Sequence, residues 1–169
     1  MSYNFYIQRY PKTYFDSSKN DFVTDDGDKV RLDLEEVFKC KYVRMGGISE
    51  NGKAKNIYTE SYAETEELRM HIPKDILYEN TDLALTLIFL PTSSSEDDIQ
   101  TAERNFFDFI SGRKVEYVDT FRNRYVTMLL INKPEVVGEV LYGGSRYREV
   151  KYTFKNIYGR SFAESQIKK

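Results

Sequence analysis

The chain has 169 residues, 40% hydrophobic and 31% charged, with a net charge of −2 from 25 basic and 27 acidic residues. That length suits one domain over 1–169, and the balance excludes both a disordered chain and a membrane-embedded one. Basic and acidic residues are interspersed, so the chain lacks the concentrated basic face on which nucleic-acid readers depend, and no sequence-specific nucleic-acid binding is expected.

No apolar run approaches the ~18 residues of a membrane span; the longest, Leu83 to Leu90, is interrupted by Thr86. The N-terminal Met1-Ser2-Tyr3-Asn4-Phe5-Tyr6 has neither the basic lead nor the apolar stretch of a secretion signal. A lone cysteine, Cys40, excludes an internal disulfide and agrees with synthesis in a reducing cytoplasm. The unusual total is aromatic: 14 Tyr and 11 Phe without Trp. Such rings suit pleated surfaces, and tyrosine also suits subunit interfaces.

Taken in chain order, Tyr3, Phe5 and Ile7 predict a short edge strand ended at Tyr10-Pro11. Asp26-Gly27, between Phe22-Val23 and Val30-Arg31-Leu32, has the chemistry of a hairpin turn. Val37 to Arg44 reads as a strand apolar on both faces. Met45 to Glu64 (45–64) carries no sustained apolar period and is punctuated by Gly46-Gly47 and Asn51-Gly52, with Tyr58 and Tyr62 as its only large rings. Connections this long are often functional or disordered. An extended arm is the preferred reading, with a β-hairpin turning at Asn51-Gly52 as the alternative.

Leu68, Met70 and Ile72 alternate with Glu67, Arg69 and His71, a half-exposed strand that stops at Pro73. Leu83 to Leu90 should be a central strand. Next comes a helix: Ser94 or Ser95 caps, Glu96, Asp97 and Asp98 occupy the first turn, and Ile99, Ala102, Phe106, Phe109 and Ile110 form one stripe ended by Gly112. Strands follow at Val115–Val118 and Tyr125–Ile131, joined near Arg122-Asn123, then Val136–Tyr142. In the last strand Val150, Tyr152 and Phe154 face one way and Glu149, Lys151, Thr153 and Lys155 the other. The polar tail, 160–169, is expected to be loose. Strands without intervening helices favour antiparallel pairing. The fold class is therefore mainly β (α+β), an antiparallel β-sandwich or split barrel with one packed helix and a long arm or hairpin.

Chemical motifs are thin. Gly47 to Lys53 has the G-x-x-x-x-G-K spacing of a phosphate loop, but Ala54 replaces the magnesium-binding Ser or Thr and no helical pattern follows. A turn in the arm accounts for it better. Asp25-Asp26-Gly27-Asp28 lacks the Asp and Glu that a calcium loop needs at its ends; Phe22 and Asp33 stand there. His71 is the only histidine and Cys40 reads as a small core residue, so no nucleophile–base pair suggests itself. The acidic pairs Glu35-Glu36, Glu66-Glu67 and Asp97-Asp98 keep a carboxylate-dependent enzyme open on composition, although each has a simpler role at an element end. No catalytic residue, metal ligand or cofactor is expected.

The second half has a recognisable order: the strand Leu83 to Leu90, the capped helix Ser95 to Ser111, then Arg113-Lys114-Val115-Glu116-Tyr117, Tyr125-Val126-Thr127-Met128-Leu129-Leu130-Ile131 and Tyr147-Arg148-Glu149-Val150-Lys151-Tyr152-Thr153-Phe154. Over about Leu83 to Tyr158 this resembles bacteriophage tail-tube-like and distal-tail-like structural proteins, in which one helix packs on a small β-sandwich. The resemblance implies a virion protein that forms a ring, usually sixfold, around a channel, with copies of itself and other virion proteins as partners. It also implies an arm that reaches a neighbouring subunit. Gly46, Gly47, Asn51, Gly52, Tyr58 and Tyr62 are the candidate interface residues of that arm. A monomeric protein-binding module, acting through an edge strand or the Tyr-rich arm, is the alternative.

Overall fold

The computed structural model describes residues 5–9, 13–24, 30–61, 68–90, 95–142 and 145–166. In chain order its strands are β1 (Phe5–Arg9), β2 (Thr13–Asp16), β3 (Asp21–Thr24), β4 (Val30–Asp33), β5 (Cys40–Gly46), β6 (Tyr58–Ser61), β7 (Leu68–His71), β8 (Thr81–Phe89), β9 (Val115–Asp119), β10 (Arg124–Leu130), β11 (Glu135–Tyr142), β12 (Ser145–Asn156) and β13 (Phe162–Ala163). Helix α1 (Leu34–Phe38) precedes β5 and helix α2 (Glu96–Ile110) links β8 to β9.

Among the described residues, nine strands form one antiparallel sheet that runs β4-β1-β9-β10-β12-β8-β5. The remaining two, β11 and β13, attach where the sheet splits. One edge of β12 is shared, by β11 along Ser145–Lys151 and by β10 along Phe154–Asn156, while β8 covers the other edge from Arg148 to Asn156. The sheet curls without closing: β4 and β5 end the strand order unpaired with each other. Short α1 joins them, and rings from β1, β5 and β9 stack across the seam, Phe5 against Tyr42 at 4.0 Å and against Tyr117 at 6.3 Å. The mainly β, antiparallel expectation holds, with a second, shorter helix added.

Alternation decides the core. Leu83, Leu85, Leu87 and Phe89 of β8 and Val150, Tyr152 and Phe154 of β12 are buried in it together. Helix α2 lays its predicted stripe over them: Phe106 meets Tyr152 edge-on at 4.9 Å and Phe38 at 5.1 Å. Its start is capped as expected, the Asp98 amide donating to Ser95 Oγ at 3.2 Å.

Three expectations and one alternative need correction. Val37 and Phe38 lie in a helix, because Asp33 Oδ1 accepts from the amides of Glu35 and Glu36 at 3.1 and 2.9 Å and so starts a turn. Leu34 and Phe38, four apart, then share its buried face while Val37 stays 47% exposed. Strand β1 is no edge; it lies between β4 and β9. The flanks of Asp26-Gly27 do not pair with each other: β3 pairs with β2 around a turn at Ser17–Asn20, with Asn20 at φ 49°, and β4 pairs with β1. Asp26-Gly27 itself lies outside the described residues. Finally, Asn51-Gly52 is not a hairpin turn. Residues 51–57 instead run antiparallel to 75–79, joined by Lys55 N–H to Leu77 O (2.9 Å) and Glu79 N–H to Lys53 O (2.7 Å). Strands β6 and β7 continue this ribbon as a separate two-stranded antiparallel sheet; residues 62–67 between them lie outside the described residues.

Candidate assembly surfaces

The described candidate interface residues fall at separate places along the chain, from the end of β5 to the start of β6. Gly46 ends β5 beside Ala84, and Gly47 (φ 88°) packs so closely on β8 that a side chain there would meet the Asp82 carbonyl at 2.5 Å. Met45 and Ile48, on either side, are buried in the core. Asn51 is exposed. Gly52 donates its N–H to the Gly159 carbonyl at 2.7 Å, and the Glu79 carbonyl fills the space of a Gly52 Cβ, 1.8 Å away. Tyr58 opens β6, and Tyr62 lies outside the described residues. Residues 45–48 therefore root the segment in the core, the chain leaves the main sheet after Gly46, and Gly52 ties the ribbon back to the domain through Gly159.

The same geometry removes the phosphate-loop reading. No helix follows Lys53, and the Gly52 amide that a phosphate would need is already bonded. Cys40 is a core residue: its Sγ–H donates to Leu34 O at 3.2 Å, and burial, helped by Glu35, pushes the thiol up to about 12. His71, at the end of β7, is exposed. Of the acidic pairs, Glu35 accepts from the Tyr42 amide at 2.9 Å and from Lys41 at 3.3 Å, and Asp97 and Asp98 sit in the first turn of α2. Glu66 and Glu67 lie outside the described residues.

The surfaces that periodicity alone did not single out are the sheet edges and the charges that position them. Strand β5 is blunted, since its Tyr42 N–H is taken by the Glu35 side chain. Among the described residues strand β11 pairs on one side only, and its ladder with β12 shifts register between Val136 and Gly138. Both Val136 and Val137 are more than half exposed there. The β11–β12 ladder also continues to Tyr142–Ser145, whereas β8 stops covering β12 at Arg148, so this hairpin overhangs the sheet. Arg148 holds its root. The guanidinium bonds Glu96 and, at 2.9 Å, Glu103 on α2, and lies 3.7 Å from Glu139 on β11. Burial works against its charge, but the bonds to Glu103 and Glu96 prevail and hold its pKa above the ordinary value. The signal was present in the sequence: Arg148 sits in phase with Val150, Tyr152 and Phe154, a cation on the core face.

At the other end of the sheet the β9–β10 turn is built around a fully buried carboxylate, Asp119. It accepts from the Arg122 guanidinium and, at 3.1 Å, from the Arg122 amide, and this bond raises the Arg122 pKa. Tyr117 and Tyr152 are pushed upward chiefly by burial, with Tyr42 adding to the first and Glu103 to the second. Both phenols therefore stay protonated.

Overlaid on solved structures, the chain matches one from the phage P2 baseplate in its activated conformation with Ca, at a TM-score of 0.53 and 14% identity over 93% of this chain. The chain folds like a phage baseplate chain. It also resembles the crystal structure of the SPP1 Dit protein, a paradigm of the hub adsorption apparatus in Gram-positive infecting phages, with a TM-score of 0.47 and 10% identity over 78% of this chain. It spans 45% and 49% of the lengths of those two chains. No family model and no curated protein matches it. At these identities the likeness is one of fold, and it extends well beyond the segment Leu83–Tyr158 in which the resemblance was legible.

Proposed function

We propose that this chain is a structural subunit of a phage tail, neck or baseplate that assembles with copies of itself into a ring, usually sixfold, around a channel. The observation that carries this reading is the fold likeness to the phage P2 baseplate chain over 93% of the residues. The surfaces are compatible with it. A one-sided edge strand with exposed valines, an overhanging hairpin and a ribbon leaving the sheet are liabilities for a monomer and assets for an assembly. In this reading the protein acts through contacts with its copies and other virion proteins, without chemistry of its own, and resides in the virion.

Size-exclusion chromatography with light scattering, followed by negative-stain microscopy, tests it. Rings are the expected result; a strict monomer at high concentration, with no ring in the images, contradicts it. A monomeric binding module is the second reading, favoured by the same β11 edge, which would accept an added peptide strand. Deleting the β6–β7 hairpin, Tyr58 to His71, separates the two while sparing the core residues Met45 and Ile48. Loss of self-association supports the ring; a monomer both before and after the deletion that still captures a protein partner through β11 supports the module.

A further inference from the structure

Two features lie at opposite ends of β10 and cannot meet within one chain. The first is a cavity of about 280 Å³ between the outer flank of α2 and the β10–β11 connection, lined by Gln100, Glu103, Arg104, Phe107 and Pro134 and backed by Tyr152. Its apolar wall continues onto exposed surface, for Phe107 is 36% exposed and Ile131 and Val136, flanking Pro134, are 45% and 52% exposed. The second is Phe121, 59% exposed at the tip of the β9–β10 turn. Between them lie the seven residues of β10, roughly 20 Å of strand at ~3.3 Å per residue.

The turn is preorganised. Asp119 binds the Arg122 amide, Asn123 takes the left-handed conformation (φ 51°), and the Glu164 amide donates to Asn123 O at 3.0 Å. A rigid aromatic knob costs little further entropy when it binds. Charge agrees as well. Asp119, Arg122 and Arg124 leave the turn one positive charge in surplus. Beside the cavity, Arg148 is one cation set against Glu96, Glu103 and Glu139, a surplus of two negative charges of which Arg104 offsets one. The turn and the cavity wall thus carry net charges of opposite sign, one unit each.

We infer that Phe121 of one copy seats in the cavity beside Phe107 and Pro134 of the next, a head-to-tail contact that propagates around the ring. This rests on the ring reading above and specifies its contact. Two different patches in one contact make it heterologous, which closes into a ring or runs on as a filament, whereas an isologous dimer would use one patch twice.

The test replaces Phe121 with a photoreactive phenylalanine analogue in the full chain, mixes isotopically light and heavy protein, and maps cross-links by mass spectrometry after illumination. Light-to-heavy links from position 121 to residues 100–107 or 131–136 are expected. Links between copies at other positions overturn this contact and leave the ring standing. Assembly on the sizing column without a link between copies also overturns it, and neither assembly nor link sinks both readings. A companion variant, Phe121→Asp, should fold normally by circular dichroism and weaken assembly on the order of 30-fold, as loss of a central aromatic anchor does; unchanged assembly counts against the contact.

Discussion

Replacing Gly52 with alanine tests how the ribbon is rooted. An ideal Cβ at position 52 lies 1.8 Å from the Glu79 carbonyl oxygen, and the closest atoms are all backbone, so no side chain can swing aside. To restore ordinary contact the two segments must part by more than about 1 Å, since real Cβ contacts are almost never under 3.0 Å. That movement breaks two short bonds, Gly52 N–H to Gly159 O and Glu79 N–H to Lys53 O, both 2.7 Å. At about 0.5–1.5 kcal/mol each the loss is about 1–3 kcal/mol. Gly159→Ala adds a torsional penalty of about 1 kcal/mol at φ 67°, on top of its own 2.1 Å clash with the same carbonyl. Gly138→Ala is the control, with nothing within 4 Å and no positive φ; it should be neutral within about 0.5 kcal/mol. Urea denaturation of the three variants gives the ranking, and amide exchange at Lys55 and Glu79 should quicken in Gly52→Ala. If Gly52→Ala matched Gly138→Ala in stability, the three-way packing of residues 52, 79 and 159 would be wrong.

Phe106→Ala should cost about 3–5 kcal/mol in chemical denaturation, because its fully buried ring joins Phe38, Phe89 and Tyr152 across α1, β8, α2 and β12. Arg148→Met should cost about 1–3 kcal/mol, reduced from a fully buried pair by the partial exposure of its glutamates. Most of that loss should be recovered when Glu103 is also changed to Gln. For Cys40 the folded thiol titrates near 12 and the unfolded one near 9.0. The raised folded value means its contribution is whole below pH 9 and is lost as pH climbs toward 12, by about 1.4 kcal/mol per unit. Cys40→Ala should therefore flatten the decline in melting temperature between pH 9 and 10.5, and a slope equal to that of the unmodified chain would refute the assignment.

How much of this was legible in the chain follows from the range of the forces involved. Helix α2 was readable from Ser95 to Gly112 because its cap, stripe and glycine lie within one short segment. Strand β12 was readable from the alternation of Val150, Tyr152 and Phe154, and the β9–β10 turn from Arg122-Asn123. Helix α1 was hidden because Asp33 and the Leu34–Phe38 spacing compete with a run that also suits a strand. The candidate interface was read from turn residues, and such residues show where a chain bends without showing what it bends against. Gly52 looks like a hairpin tip in the sequence; its small size is required by a carbonyl 27 residues away.

Local capping and periodicity thus determined α2, most of the strands and their order along the chain. Tertiary structure alone decided which strands pair, that β1 lies between β4 and β9, that β11 pairs on one side only among the described residues, and that Phe121 and the α2 cavity lie at opposite ends of β10. Those outcomes depend on register between residues distant in sequence. Pairing is set by the surface each strand buries against its partner, and that surface exists only once the sheet has curled.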